Sequence, residues 1–325
     1  MLGKQEYVSA IRKHADLASG HVSLMESLYS DDIIANVSAP VGTLTGQQAL
    51  HDGLWAPLLS ALPDLERRTD ILSSGFFNGS KWFASTGHFI GHFQRPLWSI
   101  APTGRPIWLR YGWFDRVAED RIVESYVIVD VVRLLMDARQ WPLAPQLGDT
   151  WSPPPQSQDG LAIDQPGGQA SLDLVEAMIA GLMRFDGKSL ASMGMVNFWT
   201  PQFQWYGPGG IGSARGHADY ERAHQRPFLA AFPDRVGGNH KCRIGDGSYV
   251  ASTGWPSINA THSGDGWLGL PATGKRVTMK VMDFWRRDEQ LLAENWVFID
   301  MIDLLGQMGI DVFKRMNELH RGQAE

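Results

Sequence analysis

The sequence contains one pattern of residues twice, about 170 positions apart. The recurring residues are Gly42, Gly46, Pro57, Leu59, Pro63, Asp64, Thr103, Gly104, Phe114, Arg116, Glu124, Asp130, Leu134 and Leu135, which return as Gly212, Gly216, Pro227, Leu229, Pro233, Asp234, Thr273, Gly274, Phe284, Arg286, Glu294, Asp300, Leu304 and Leu305. A solenoid repeat spans only roughly 20 to 50 residues, whereas each copy here is long enough to bury its own core. The repeat therefore predicts two copies of one fold.

A segment rich in proline, glycine and glutamine separates the two copies. It runs from residue 142 to 170 and includes Trp151-Ser-Pro-Pro-Pro-Gln. Such a composition is typical of a linker. We therefore expect a first domain at 1–141, a linker at 142–170 and a second domain at 171–325.

Composition excludes several kinds of partner. A net charge of -6 without a basic run argues against nucleic acid, because binding phosphates requires clustered lysine and arginine. Cys242 is the only cysteine, so no intrachain disulfide can form. No apolar run approaches the roughly 18 residues of a membrane span, and the first residues lack a hydrophobic signal segment. We expect a cytoplasmic protein with no membrane or nucleic-acid partner.

The second copy shows the order of its elements most clearly. Apolar residues at helical spacing predict a helix over 172–182, with Ser171 as its N-cap. The other expected elements are a strand at 203–206, a helix at 216–231, strands at 248–253, 277–286 and 291–299, and a short terminal amphipathic helix. Helices followed by an antiparallel sheet indicate the α+β class.

Four motifs of the second copy resemble a known family. They are the segment from Gly216 to Asp234 that ends in Pro-Phe-Leu-x-x-Phe-Pro-Asp, Ala272-Thr-Gly-Lys-Arg-Val277, Asp283-Phe-Trp-Arg286, and Glu294-Asn-Trp-Val-Phe-Ile-Asp-x-x-x-Leu-Leu-Gly-Gln-Met-Gly309. The sequence resembles the SnoaL-like polyketide cyclases of the nuclear transport factor 2-like superfamily, which includes ketosteroid isomerase. The resemblance covers most of each half. It implies two tandem cone-shaped domains, each a curved antiparallel sheet wrapped by helices around a pocket.

One acid interrupts the apolar face of a predicted strand in each copy. Alternation along 277–286 places Asp283 and Trp285 on one face with Val281. The first copy places Trp113 and Asp115 on the same face, but the tryptophan comes before the aspartate there, whereas it follows the aspartate in the second copy. Desolvation raises the pKa of a carboxyl group, which makes it a usable base near neutral pH. Asp283 and Asp115 are thus candidate catalytic residues. The alternative is a structural aspartate paired with an arginine or a backbone amide.

A second acid ends the following strand in each copy. Asp300 and Asp130 are candidates for the general base that the resemblance implies. Each also precedes an apolar helical segment, as an N-cap residue does, and a cap has a purely structural role. The two interpretations remain open at this point.

Other side chains complete the candidate site. His262 is a candidate donor to a developing enolate. Glu124 and Glu294 are expected to pair with Arg116 and Arg286. The candidate pocket walls, for which core packing is the alternative, are Tyr206, Trp205, Trp255, Trp285, Trp296, His92 and Trp113.

No metal or other cofactor is expected. His88 and His92 are four residues apart on a predicted strand, which separates them by about 13 Å. The sequence also lacks a glycine-rich phosphate loop and a nucleophile elbow.

The resemblance implies cofactor-free acid–base chemistry on a small hydrophobic carbonyl compound, as an intramolecular aldol or proton transfer. An epoxide-type hydrolase with two carboxyl groups in one pocket, Asp283 and Asp300, is an alternative in the same fold. A non-catalytic module that binds a small molecule is another. Duplication would also fuse a homodimer into a pseudo-dimer within one chain, in which one pocket is free to lose its chemistry.

Overall fold

The structure is a computed structural model that describes residues 2–322, with side chains to residue 319. The chain divides into two compact units. Unit 1 comprises Met1–Pro142, Asp159–Ile163 and Asp300–Glu325, and unit 2 comprises Leu143–Gln158 and Asp164–Ile299. No helix among the described residues is long and apolar enough to cross a membrane.

Unit 1 places two helices before a six-stranded sheet. Its elements are α1 (Lys4–Lys13), α2 (Leu17–Leu28), β1 (Tyr29–Val37), β2 (Gly42–Thr45), α3 (Gln47–Leu50), a π-helical turn (His51–Trp55), α4 (Ala56–Ala61), β3 (Glu66–Phe77), β4 (Ser80–His92), β5 (Pro106–Ala118), β6 (Arg121–Val129) and α5 (Val131–Asp137). The strand order is β2-β1-β6-β5-β4-β3, and only the β1–β6 pair among these described strands is parallel.

Unit 2 repeats this plan. Its elements are α6 (Gly168–Leu182), two 3₁₀ turns (Leu190–Met193 and Met195–Asn197), β7 (Trp199–Tyr206), β8 (Ala214–Arg215), α7 (Gly216–Tyr220), a π-helical turn (Glu221–Gln225), α8 (Arg226–Ala231), β9 (Val236–Gly237), β10 (His240–Asp246), β11 (Tyr249–Thr261), a 3₁₀ turn (Trp267–Gly269), β12 (Arg276–Asp288) and β13 (Leu291–Ile299). The strand order is β10-β11-β12-β13-β7-β8, with β9 paired to β11. The last two helices, α9 (Met301–Gln307) and α10 (Val312–Gly322), group with unit 1.

The predicted α+β class and tandem duplication are confirmed. The predicted N-cap of α6 is wrong, because the helix begins earlier, after Gly167. Ser171 lies inside the helix and donates from Oγ to the Gly247 carbonyl oxygen at 2.8 Å. Glycine permits this start because a Cβ on Gly168 would lie 2.6 Å from the Gly245 carbonyl oxygen.

Large side chains fill the interior of unit 1. Trp55 and Trp113 are fully buried and stack with their ring centroids 5.6 Å apart. The buried guanidinium of Arg67 lies over the Tyr111 ring at 4.8 Å and over the Trp113 ring at 5.0 Å. Aromatic and cationic side chains therefore occupy the space in front of this sheet.

Smaller or more polar side chains occupy the equivalent positions of unit 2. The repeat matches Trp55 with Gln225, Trp113 with Asp283 and Tyr111 with Val281. It also matches Arg67 with Gly237. The strand pairing places Arg67 opposite Phe89 and Gly237 opposite Ile258. The two units share one backbone plan but not one packing volume. Unit 2 therefore has room for a cavity where unit 1 has a close-packed core.

We predict that the two units respond differently to truncation at this matched pair. Trp55→Ala should lower the free energy of unfolding by about 3–5 kcal/mol, because it opens a void in a packed core. Gln225→Ala should cost less than half as much, since Gln225 lines a cavity. Urea unfolding followed by circular dichroism measures both values. Equal losses would contradict the difference in packing.

Candidate functional site

A cavity of about 220 Å³ lies inside unit 2. It is bounded by α6, by the helix from Gly216 to Ala231, and by the inner faces of β7, β11, β12 and β13. Apolar side chains form most of the lining. The polar side chains that reach it are Tyr220, His224, Gln225, Arg235, His240, Ser252, Ser257, Asp283 and Asn295. A few polar groups within an apolar wall are typical of a small-molecule site.

Strand β12 carries Asp283 into this cavity. Met279, Val281 and Trp285 line the cavity from the same face, as the sequence alternation predicted. Pairing of Asp283 with Ser252 on one side and Val297 on the other fixes this register. A slip by one residue would turn the acid to the opposite face of the sheet.

The environment of Asp283 favours its protonated form. Burial raises the pKa of this carboxyl group from 3.8 to about 7. The Asn295 amide, 3.4 Å from Oδ1, and the positive charge of Arg243 lower the pKa only in part. Asp283 therefore changes charge near neutral pH, which suits a group that both accepts and returns a proton.

His224 lies on the π-helical turn and faces the same cavity. Its ring stacks on Trp205 with centroids 4.3 Å apart and an interplanar angle of 17°. Burial, together with the positive charge of Arg235, lowers the pKa of His224 to about 3. Its buried Nδ1 atom has no hydrogen-bond partner among the described residues. A neutral imidazole is thus held in a fixed orientation with hydrogen-bonding capacity to spare.

Two further polar groups lie near this imidazole. Burial and the charge of Asp283 raise the pKa of Tyr220, so its phenol stays protonated. Its ring contacts Trp205 and His224 at centroid distances of 5.3 and 5.4 Å. The buried amide nitrogen of Gln225 makes no hydrogen bond of normal geometry with the described residues. The cavity thus combines one titrating acid and one arginine with neutral polar groups.

Asp300 lies outside the lining of this cavity. Its carboxylate is 2% exposed and accepts hydrogen bonds from the backbone nitrogens of Asp303 at 3.2 Å and Ala39 at 3.0 Å. Asp303 lies in the first turn of α9, so Asp300 is the N-cap of that helix. The cavity is lined instead by the opposite face of β13, through Asn295, Val297 and Ile299.

Asp130 occupies the equivalent position in unit 1. It caps α5 by accepting from the Arg133 backbone nitrogen at 3.0 Å. Its second oxygen lies 3.5 Å from Nη1 of the buried Arg110. The cap interpretation describes the geometry of both Asp130 and Asp300.

Asp115 is completely enclosed in unit 1. Its carboxylate accepts from the Tyr7 hydroxyl at 2.6 Å, Trp113 Nε1 at 2.7 Å and Ser125 Oγ at 2.5 Å. Burial raises its pKa, while these three hydrogen bonds oppose the rise. Asp115 therefore has the surroundings of a structural acid, in contrast to Asp283.

The two candidate histidines also lie apart from Asp283 and the cavity lining. His262 is buried beside Phe232, and its Nδ1 accepts from the Thr273 backbone nitrogen at 3.3 Å. His92 is half-exposed in unit 1, and its Nδ1 lies 2.6 Å from the Asp64 carboxylate.

The predicted pocket walls divide into two groups. Trp205 and Trp285 line the cavity. The others lie outside its lining. Tyr206 donates to Glu294 at 3.1 Å, and Trp296 donates to the Pro153 carbonyl oxygen at 2.9 Å. Trp255 lies under the Lys280 ammonium, and Trp113 belongs to unit 1.

The predicted pairs of Glu124 with Arg116 and of Glu294 with Arg286 are confirmed.

The residues that sequence reasoning missed are Tyr220, His224, Gln225 and Arg235. The repeat itself held a signal for them. Each is a polar residue whose counterpart in the first copy is apolar, namely Leu50, Leu54, Trp55 and Leu65. Polar residues gained at core positions of one copy mark the unit that keeps a cavity.

Among the described side chains, no group of three or more histidine, cysteine, aspartate or glutamate residues could hold a metal ion.

The fold defines the class of this protein as two tandem α+β domains, each with a mainly antiparallel sheet. The family model of the SnoaL-like polyketide cyclases matches residues 8–138 and 190–308. The two segments make up more than half of the chain, which therefore belongs to this family. No curated protein matches the sequence.

Three solved structures with similar folds each align with less than half of this chain. IdmH, a candidate polyketide cyclase from Streptomyces antibioticus, is 19% identical and covers 41% of this chain and 96% of its own, with a TM-score of 0.34. AclR, a candidate hydroxylase from Streptomyces galilaeus, is 14% identical and covers 42% of this chain and 96% of its own, with a TM-score of 0.34. A nuclear transport factor 2-like protein from Burkholderia thailandensis is 20% identical and covers 43% of this chain and 97% of its own, with a TM-score of 0.34.

We predict that Asp300 supports folding and not proton transfer. Asp300→Ala should lower the free energy of unfolding by about 1–2 kcal/mol, because the N-cap of α9 is lost. Urea unfolding measures this loss, with Asp288→Ala at the exposed end of β12 as the control. Catalytic activity per folded molecule should be unchanged. A variant that folds with full stability but is inactive would reverse the assignment.

We predict that Asp283 makes the protein less stable as the pH rises. Its pKa is raised in the folded state, so its contribution to stability is present below about pH 4 and is lost as the pH rises to about 7. Asp283→Asn removes this loss. At pH 8 the variant should exceed the parent in unfolding free energy by on the order of 1.4 kcal/mol per unit of raised pKa.

Urea unfolding at pH 4 and pH 8 measures the difference. A difference between variant and parent that is the same at both values would show that Asp283 does not titrate in this range.

Proposed function

We propose that unit 2 catalyses cofactor-free acid–base chemistry on a small carbonyl compound, with Asp283 as the general base. The observation that supports the proposal is a single carboxylic acid, with a pKa of about 7, facing a largely apolar cavity. Membership in the SnoaL-like polyketide cyclase family supports the same reaction class. Intramolecular aldol closure is the form of the reaction that we favour.

In the first step, the ionised carboxylate of Asp283 removes a proton from the carbon next to a substrate carbonyl. Negative charge then develops on the carbonyl oxygen. His224 presents a nitrogen atom in the cavity wall without a hydrogen-bond partner among the described residues, and the Gln225 amide lies in the same wall. A hydrogen bond from such a group strengthens as the charge develops, which lowers the barrier.

A neutral imidazole suits this role. Its pKa of about 3 keeps His224 uncharged at neutral pH, so it can donate one N–H without adding a second charge. The acid and the imidazole therefore have pKa values pushed in opposite directions by the same burial.

In the second step, the enolate carbon attacks another carbonyl carbon of the same molecule. A carbon–carbon bond forms, and the electron pair of the second carbonyl moves to its oxygen. Asp283, now protonated, returns the proton to that alkoxide. The product is an isomer of the substrate, so the reaction consumes no co-reactant.

The alternatives have less support. A hydrolase with two carboxyl groups would need a second acid in the cavity, whereas Asp283 is the one carboxylic acid among the described residues that line it. Unit 1 is a weaker candidate, because three donors already satisfy Asp115 in a filled core. A binding protein without turnover is the outcome that the following experiment would reveal.

We predict that the protein exchanges the α-protons of 2-tetralone, a bicyclic aryl ketone, for deuterium. Proton NMR in D₂O measures the rate above the buffer background. The rate should rise with pH and reach half its maximum near pH 7, since only ionised Asp283 is a base. Asp283→Asn should lower it by about 10²-fold or more.

Asp288→Asn serves as the matched control, because Asp288 is an exposed acid at the end of the same strand. It should keep the parent rate. Exchange that survives in Asp283→Asn would refute Asp283 as the base, and 2-tetralone binding without any exchange would favour the non-catalytic alternative.

A further inference from the structure

A second cavity, of about 430 Å³, lies beside the first in unit 2. The two cavities share Met183, Leu229 and Arg235 in their walls. Lys188 and Arg226 also line the second cavity, which we call the outer cavity. The shared residues place the outer cavity directly beside the cavity that holds Asp283.

The lining of the outer cavity carries three cationic side chains and, among the described residues, no acid. The residues of this lining are Met183, Phe185, Gly187, Lys188, Leu190, Arg226, Leu229, Ala230, Pro233 and Arg235. The whole chain has a net charge of -6, so a cavity wall with only positive charges departs from the average surface. Clustered positive charge of this kind attracts an anion.

Arg235 is the cation that reaches both cavities. Its Nη2 donates to the Leu182 carbonyl oxygen at 3.0 Å, and its guanidinium lies 5.8 Å from the Phe185 ring centroid. None of the described carboxylates forms an ion pair with it, although it is partly buried. A partly buried guanidinium without a counter-ion has donors available for one.

The other two cations differ in their partners. Arg226 is exposed and pairs with Glu221 at 2.6 Å, which neutralises much of its charge. The exposed Lys188 ammonium makes no ion pair with any described residue. Arg235 and Lys188 are therefore the cations whose positive charge is available to bind an anionic ligand.

We propose that the outer cavity binds an anionic group of the same ligand whose carbonyl lies beside Asp283. The inference rests on the proposed function in one respect, namely that a single ligand occupies both cavities. The ligand class is a small apolar carbonyl compound that carries a carboxylate or a phosphate ester. The anion lies against Arg235 and Lys188 and not in the inner cavity, because ionised Asp283 would repel it there.

Three probes with one ring system test the proposal. They are 2-naphthoate, 2-naphthyl phosphate and the neutral ketone 2-acetylnaphthalene, and isothermal titration calorimetry measures the dissociation constant of each. We expect at least one of the two anions to bind about tenfold more tightly than the ketone. The tighter of the two anions identifies the source of the charge as a carboxylate or a phosphate ester.

Variants of Arg235 assign the effect to this residue. Arg235→Gln should weaken binding of the preferred anion about tenfold and leave the ketone within twofold, whereas Arg235→Lys should keep most of the preference because it keeps the charge. Arg222→Gln is the matched control, since Arg222 pairs with Asp219 on the same helix and lines neither cavity. It should change none of the three affinities.

Equal binding of anions and ketone, or weak binding of all three, would overturn the proposal. So would a loss of the anion preference in Arg222→Gln as large as that in Arg235→Gln. The experiment measures binding affinity and not turnover. The Asp283→Asn variant should therefore still bind the anion more tightly than the ketone. An active enzyme without the preference would refute this inference alone, and the preference without exchange activity would refute the proposed function alone.

Discussion

The antiparallel pairing of β11, β12 and β13 is the constraint on which the site depends. It turns Asp283 toward the largely apolar cavity of unit 2, where the charged form of a carboxyl group is costly. The same pairing presents Asn295, Val297 and Ile299 to that interior and turns Glu294 to its pair with Arg286. One register thus places a titrating acid on one face of the sheet and a structural ion pair between β12 and β13 on the other face.

The two units show how one backbone plan can hold two different interiors. In unit 1, stacked tryptophans and a buried arginine fill the space in front of the sheet, and Asp115 is satisfied by three donors. In unit 2, smaller side chains leave that space open, and polar residues line it. Duplication permits this division, because one copy can become a stable core while the other keeps a ligand cavity.

The electrostatics of unit 2 follow from burial acting on different chemical groups. Burial disfavours charge in each case, so it raises the pKa of Asp283 and lowers that of His224. Arg235 adds to the lowering of the His224 pKa, and burial together with the charge of Asp283 raises the pKa of Tyr220, so its phenol stays protonated. Arg235 is therefore the cation in the cavity wall that balances Asp283 when Asp283 ionises, and further positive charge lies in the wall of the outer cavity.

The sequence by itself determined the duplication, the α+β class and the face of β12 that carries Asp283, because residue spacing and strand alternation are local properties. It left Asp283 and Asp300 as equal candidates, since an acid at the end of a strand can be a base or a helix cap. Only the tertiary structure placed Asp300 at the start of α9 and brought His224 and Arg235 beside the cavity. Those positions depend on how a helix packs over a sheet, and that packing joins residues far apart in the chain.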